Sequence, residues 1–99
     1  MPENINPKYK ELILRAMEYH FPGAAVYLFG SRARGTNKEG ADIDIAVEGG
    51  TEFDLHEISR ARVTLNNLPF ALKVDLVDMN RIPTELKELI LKEGIKWKN

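Results

Sequence analysis

Ninety-nine residues make about one domain's worth of chain, and 43% hydrophobic with 29% charged residues is ordinary globular composition, which excludes a disordered tail, a collagen-like repeat or a disulfide scaffold. No cysteine is present, so cysteine-ligated zinc is excluded as well. Lys+Arg 14 against Asp+Glu 15 leaves a net charge of −1, which provides no global basic field to draw nucleic acid or an anionic membrane.

Met1-Pro2-Glu3-Asn4 carries neither a basic nor an apolar leader region. The longest apolar run, Ala24–Phe29, is far short of the roughly 20 residues that span a bilayer. The expectation is a soluble, cytoplasmic protein with one domain over residues 1–99.

The first element reads as a helix. Asn6 suits the N-cap and Pro7 the first helical position, and Tyr9, Leu12, Ile13, Ala16 and Met17 recur at helical spacing. Phe21-Pro22-Gly23 stops it. Ala24–Phe29 is short, apolar and followed by glycine, as in a buried strand. Gly30 to Gly40 is polar and bounded by glycines. Ala41–Val47 alternates and reads as a second strand. The connection of about eleven residues is short for a parallel crossover, so the two strands are expected to pair antiparallel.

After the loop Glu48–Thr51, Asp54 with Glu57 three residues on resembles a capping box. Leu55, Ile58, Arg62 and Leu65 mark one face of the helix that follows, which Asn66-Asn67 and Pro69 end. Ala71–Val77 reads as a third strand. Pro83 opens a last helix with Leu86, Leu89 and Ile90 on one side and Gly94 as C-cap. Ile95–Trp97 is expected to add an edge strand or a docking tail. The order predicts a two-layer α+β domain: a small, mixed, mostly antiparallel sheet of three or four strands with helices on one face.

Chemistry concentrates in three places. Asp42 and Asp44 share one face of the second strand, while Ile43, Ile45 and Val47 take the other. Two carboxylates at that spacing are roughly 6.6 Å apart along the backbone. They repel by about 2.5 kcal/mol at an effective dielectric of about 20. A divalent cation would relieve that cost, because hard carboxylate oxygens suit Mg²⁺ or Mn²⁺; a strand with a solvated polar face would carry the same pair.

Asp75, between Val74 and Leu76, points away from the core in the third strand. If that strand neighbours the second, three carboxylates converge; the competing role is a solvent-facing acid paired with Lys73. Asp78 falls in the other frame and reads as a turn or cap residue. Finally, Gly30-Ser31-Arg32-Ala33-Arg34-Gly35 follows a strand and opens a helical turn. Backbone amides, the Ser31 hydroxyl and the two arginines could there receive phosphate. An ordinary glycine turn with surface arginines is the alternative. The loop is neither a Walker A sequence nor G-x-G-x-x-G.

Gly30-Ser31, ten residues, then Asp42-Ile43-Asp44 resembles the signature of nucleotidyltransferases of the DNA polymerase β superfamily. Phe29–Gly35 and Asp42–Val47 look closest to its minimal nucleotidyltransferase (MNT) branch, of the kind paired with HEPN-domain proteins. The resemblance implies a nucleotidyltransferase palm. Gly30 and Ser31 would hold the β- and γ-phosphates of ATP. Asp42 and Asp44 would ligate two Mg²⁺ ions, with Mn²⁺ as a substitute. Asp75 would ligate the catalytic metal and help deprotonate the acceptor hydroxyl.

Arg32 or Arg34 as a phosphate contact is a reading from charge and position. The implied reaction is transfer of AMP from ATP with release of pyrophosphate. The acceptor would be a HEPN toxin that the chain, as its antitoxin, adenylylates on tyrosine. A palm of this size is expected to work as a homodimer or hetero-oligomer, with another subunit presenting the acceptor.

The competing function is a catalytically idle palm that neutralises a partner by binding alone. A polymerase or terminal transferase is disfavoured by the charge, so no direct nucleic-acid binding is expected. His20 and His56 share no metal-ligand spacing and read as helix-end or surface residues. Trp97 reads as an anchor for the tail.

Overall fold

The computed structural model describes residues 3–98; Met1, Pro2 and Asn99, the first two of which entered the reading of the N-terminus, lie outside the described residues. Asn6 caps α1 (Pro7–His20) by accepting from the Lys8 amide at 2.9 Å. β1 (Ala25–Phe29) leads through Gly30 into the single turn α2 (Ser31–Arg34). β2 (Ile43–Glu48) precedes α3 (Leu55–Leu65), whose N-cap Asp54 accepts from the His56 amide at 2.7 Å. β3 (Val74–Asp78), α4 (Thr84–Glu93) and β4 (Ile95–Lys98) complete the chain. Among the described residues no helix is long and apolar enough to cross a membrane.

The α+β reading with a small mixed sheet is borne out. The strand order is β3-β2-β1-β4, with β1 antiparallel to both β2 and β4, and β2 parallel to β3. The parallel pair is joined through α3, the crossover that such a pair requires. Ile95–Trp97 does form an edge strand. Trp97 anchors it by donating to Glu3 Oε1 at 2.8 Å, with the Lys10 ammonium 5.2 Å from its ring centre. Gly94 closes α4 with an extended backbone, not a left-handed one. It is needed for space, because a Cβ there would lie 2.5 Å from the Ile90 carbonyl oxygen.

The alternation of β1, β2 and β3 sends Val26, Leu28, Ile43, Ile45, Val74 and Leu76 to one face. There they pack against Ile13 and Met17 of α1 and Ile58, Ala61 and Leu65 of α3. The expectation of helices on one face holds for these two helices and is corrected for α4. Ile90 and Leu86 of α4 pack with Ala46, Met79, Tyr27 and Val77 on the opposite face, in a separate small core. The amphipathic stripe of α4 is compatible with either face of the sheet, and the apolar row Tyr27–Ala46–Val77 decides between them. Leu55 also departs from expectation. It is 58% exposed, and Ala61 fills the position against the sheet instead.

Candidate active site

Three strands place one row of side chains on the face that α4 only partly covers. Phe29 of β1 is register partner of Asp44, and Asp44 is register partner of Asp75. Register partners project to the same face, so the two acids stand side by side. Asp44 is half-buried. Its carboxyl shares a face with that of its register partner Asp75, whose Oδ1 also lies 3.4 Å from Lys73 Nζ. The pairing with Lys73 anticipated from sequence is therefore present together with the acid cluster.

β2 starts at Ile43, not Ala41, because the Ala41 amide closes a turn on the Lys38 carbonyl at 3.1 Å. Asp42 is consequently an exposed residue just ahead of the strand. Partial burial pushes the Asp44 carboxyl above its ordinary titration range, and the charges of Asp75 and Asp42 push it further; only Arg34 opposes them by charge. Asp44 thus feels the charges of both other acids. Among the described residues, however, no three His, Asp or Glu side chains already stand in a metal-ligating arrangement.

Gly30 joins the acids to the turn. Its φ of 77° and ψ of −159° lie in a region essentially reserved for glycine. A Cβ there would also sit 2.5 Å from Asp44 Oδ2. The Gly30 carbonyl accepts from the amides of Ala33 and Arg34 at 3.1 and 3.2 Å, which closes α2 as a turn of helix. The amides of its first residues have no carbonyl one turn back, as at the start of any helix. Ser31 is half-buried at that start, next in sequence to Gly30.

The two arginines separate. Arg32 is only 7% exposed. Its Nε donates to the Ala41 carbonyl at 3.0 Å and its Nη1 to the Asn4 carbonyl at 2.9 Å. The guanidinium thereby ties the turn to the segment before Asp42 and to the N-terminal segment, so the anticipated phosphate contact does not match its placement. Arg34 is the exposed one. Its Nη1 lies 3.6 Å from Glu93 Oε1 of α4, and its charge reaches Asp44.

Two polar residues that position Asp75 were not singled out for that role by sequence. Asn66, at the end of α3, brackets Val74: its side chain donates to the Val74 carbonyl at 2.9 Å and accepts from the Val74 amide at 3.0 Å. Arg62 donates twice to the Leu76 carbonyl, at 3.2 and 2.9 Å. The outer edge of β3 is thus occupied on either side of Asp75 by side chains of α3. A helix stop at Asn66 was legible; its second task was not.

Asp78 behaves as the expected turn residue, accepting from the Asn80 amide at 2.9 Å, and also from the Phe53 amide at 2.7 Å. His20 is a helix-end residue, its Nε2 2.8 Å from Thr64 Oγ1 across α1 and α3. The open groove beside it, about 740 Å³ and bordered by Tyr19, Arg60 and Val63, lies on the face away from the acids.

The family model for polymerase β-type nucleotidyltransferases matches residues 11–97. A protein of Methanocaldococcus jannaschii, named "Putative protein adenylyltransferase MJ0435", is 34% identical over 92 residues, covering 93% of this chain and 96% of the relative. Among solved structures, a chain of a toxin–antitoxin complex with AMP-PNP superposes with a TM-score of 0.78 at 28% identity. That match covers 91% of this chain and 73% of the other. A chain of the complex between the tri-AMPylated HEPN toxin of Shewanella oneidensis and its MNT antitoxin gives 0.73 at 26% identity, covering 93% and 71%. With a matched model over nearly the whole chain and the glycine–serine turn set against its acid row, the chain belongs to the polymerase β nucleotidyltransferase family, on its minimal nucleotidyltransferase branch.

Proposed function

We propose that this nucleotidyltransferase moves AMP from ATP to a hydroxyl of a partner protein, a HEPN-domain toxin, and so serves as the antitoxin of the pair. The observation that carries the reading is the Phe29–Asp44–Asp75 row lying against Gly30. The named activity of the Methanocaldococcus relative and the nucleotide-containing and AMPylated toxin–antitoxin complexes support the choice of donor and acceptor.

The donor set fits a hard cation. Carboxylate oxygens are the ligands Mg²⁺ and Mn²⁺ prefer, and the upward push on Asp44 marks a cluster short of positive charge. Asp42 and Asp44 would hold two ions, with Asp75 sharing the one beside the acceptor. When bound, such ions neutralise charge on the phosphates during an in-line displacement.

The chain's own groups do the rest. The Gly30–Ser31 turn and the Ser31 hydroxyl hold the β- and γ-phosphates, and Arg34 adds a positive charge beside them. Asp75 accepts the proton of the acceptor hydroxyl. The hydroxyl oxygen then bonds to the α-phosphorus, the bond from that phosphorus to the bridging oxygen breaks, and pyrophosphate leaves.

Incubation with α-labelled ATP, Mg²⁺ and a HEPN-domain protein from the same source should label that protein. Asp42→Asn and Asp44→Asn should abolish the label while the chain stays folded. Labelling by the asparagine variants at the wild-type rate would contradict the reading. Toxin neutralisation in growing cells by Asp44→Asn, with no label transferred, would show that binding alone suffices.

A further inference from the structure

Of the three acids, Asp42 alone is held by no strand, because β2 begins one residue after it. Its place is set through its two neighbours. On one side the Ile43 amide donates to the Lys73 carbonyl at 2.8 Å, which fastens it beside β3. On the other, Ala41 is gripped twice. Its carbonyl accepts from Arg32 Nε at 3.0 Å, and its amide donates to the Lys38 carbonyl at 3.1 Å.

Both grips lead back to Asn4. Arg32 Nη1 donates to the Asn4 carbonyl at 2.9 Å, and the Asn4 amide donates in return to the Arg32 carbonyl at 2.9 Å. The Asn4 side chain donates to Asn37 Oδ1 at 3.0 Å, and Asn37 Nδ2 donates to the Lys38 carbonyl at 3.2 Å. Asn4, Arg32, Ala41, Lys38 and Asn37 thus close a ring of hydrogen bonds. Asp42 follows one member in sequence and Ser31 precedes another. The ring is anchored from outside, since Glu3 accepts from Trp97 Nε1 at 2.8 Å and lies 3.4 Å from Lys10 Nζ.

We infer that Asn4 is a positioning residue for the metal: its side chain, acting through Asn37 and Lys38, fixes the end of the loop that presents Asp42 beside Asp44. The inference rests on the metal role proposed for Asp42 and adds the residue that sets its place. α2 is closed by its own bonds to the Gly30 carbonyl, so the phosphate turn keeps its shape without the Asn4 side chain. The acid end is the one that moves. Contacts behind a ligand set its orientation, and metal affinity follows that orientation.

The test is a titration of Mn²⁺ into the full chain without nucleotide, with free ion counted by its EPR signal. Asn4→Ala keeps both backbone bonds to Arg32 and loses only the exposed side-chain bond, so its urea midpoint should stay at the wild-type value. Its Mn²⁺ affinity should fall about threefold to tenfold, between the net worth of one exposed hydrogen bond and the loss of a contact directly behind a ligand. Asn37→Ala, which cuts the same bond from the other side, should do the same. In the Asp42→Asn background, itself weakened in Mn²⁺ binding, Asn4→Ala should have no further effect, because its influence passes through Asp42.

Wild-type Mn²⁺ affinity in both Asn4→Ala and Asn37→Ala would overturn the inference. So would an equal loss whether Asp42 is present or replaced, which would make Asn4 a general tie for the N-terminal segment. Wild-type affinity in Asp42→Asn, or no Mn²⁺ binding by the wild-type chain, would instead overturn the metal role of Asp42 itself.

Discussion

Asp44 stands where two strand registers cross, and its neighbours decide its charge. With its carboxyl titrating above the ordinary range, the folded state binds a proton more tightly than the unfolded chain, and only between the two ranges does it keep one that the unfolded chain has released. Stability without metal is therefore full below the unfolded pKa and falls as pH rises through the raised one. An asparagine amide can donate to Asp75 and carries no charge. In EDTA at neutral pH, Asp44→Asn should have a urea midpoint equal to or above that of wild type. The advantage should vanish below the usual carboxylate range. A large loss of metal-free stability would make Asp44 a structural residue.

The two arginines make the opposite contrast. Arg32→Lys removes the fork that serves two carbonyls and should cost about 1.5–3 kcal/mol, with little change in nucleotide affinity. Arg34→Ala breaks only an exposed ion pair, so stability should stay within about 0.5 kcal/mol while nucleotide affinity falls. Urea unfolding and titration with AMP-PNP read both, and the reverse pattern would contradict the assignment.

At the level of elements, the position of Asp75 depends on α3. Asn66 and Arg62 occupy the backbone groups of Val74 and Leu76 and hold the edge strand on either side of the acid. Asn66→Ala leaves a buried strand residue's backbone without its side-chain partners and should cost about 1–3 kcal/mol. Amide exchange should accelerate first at the Val74 end of β3, and transfer should slow through Asp75. Unchanged exchange there would contradict the positioning role.

This is also where legibility in the sequence ran out. Alternation located the strands and set Asp44 and Asp75 on one face, because period-2 patterning is local. It could not tell that a turn from Lys38 consumes Ala41 and leaves Asp42 outside the strand. Nor could it tell that Arg62 donates to a carbonyl on another element. Helical spacing grouped it with Leu55 and Ile58, yet its fork lies against β3 and Leu55 faces solvent.

For the whole molecule, the sheet is covered unequally. α1 and α3 close one face, and α4 closes the far part of the other, leaving Asp44 and Asp75 accessible beside α2. Ala46, apolar on the same face as the acids, was the sequence signal for this second covering, since strands buried on both faces lose strict alternation. Read alone it is one alanine in an alternating strand, and the choice of face for α4 needs the sheet assembled.

Under the proposed function, the Gly30–Ser31 turn and the acids of β2 and β3 work as a single phosphate-and-metal site. Crystals grown with Mn²⁺ and AMP-PNP test it most directly through the anomalous scattering of manganese. The expected result is manganese peaks at the Asp44 carboxylate, shared with Asp42 or Asp75, and phosphate density on the Ser31 turn. Peaks only at other carboxylates, or nucleotide density away from Ser31, would contradict it.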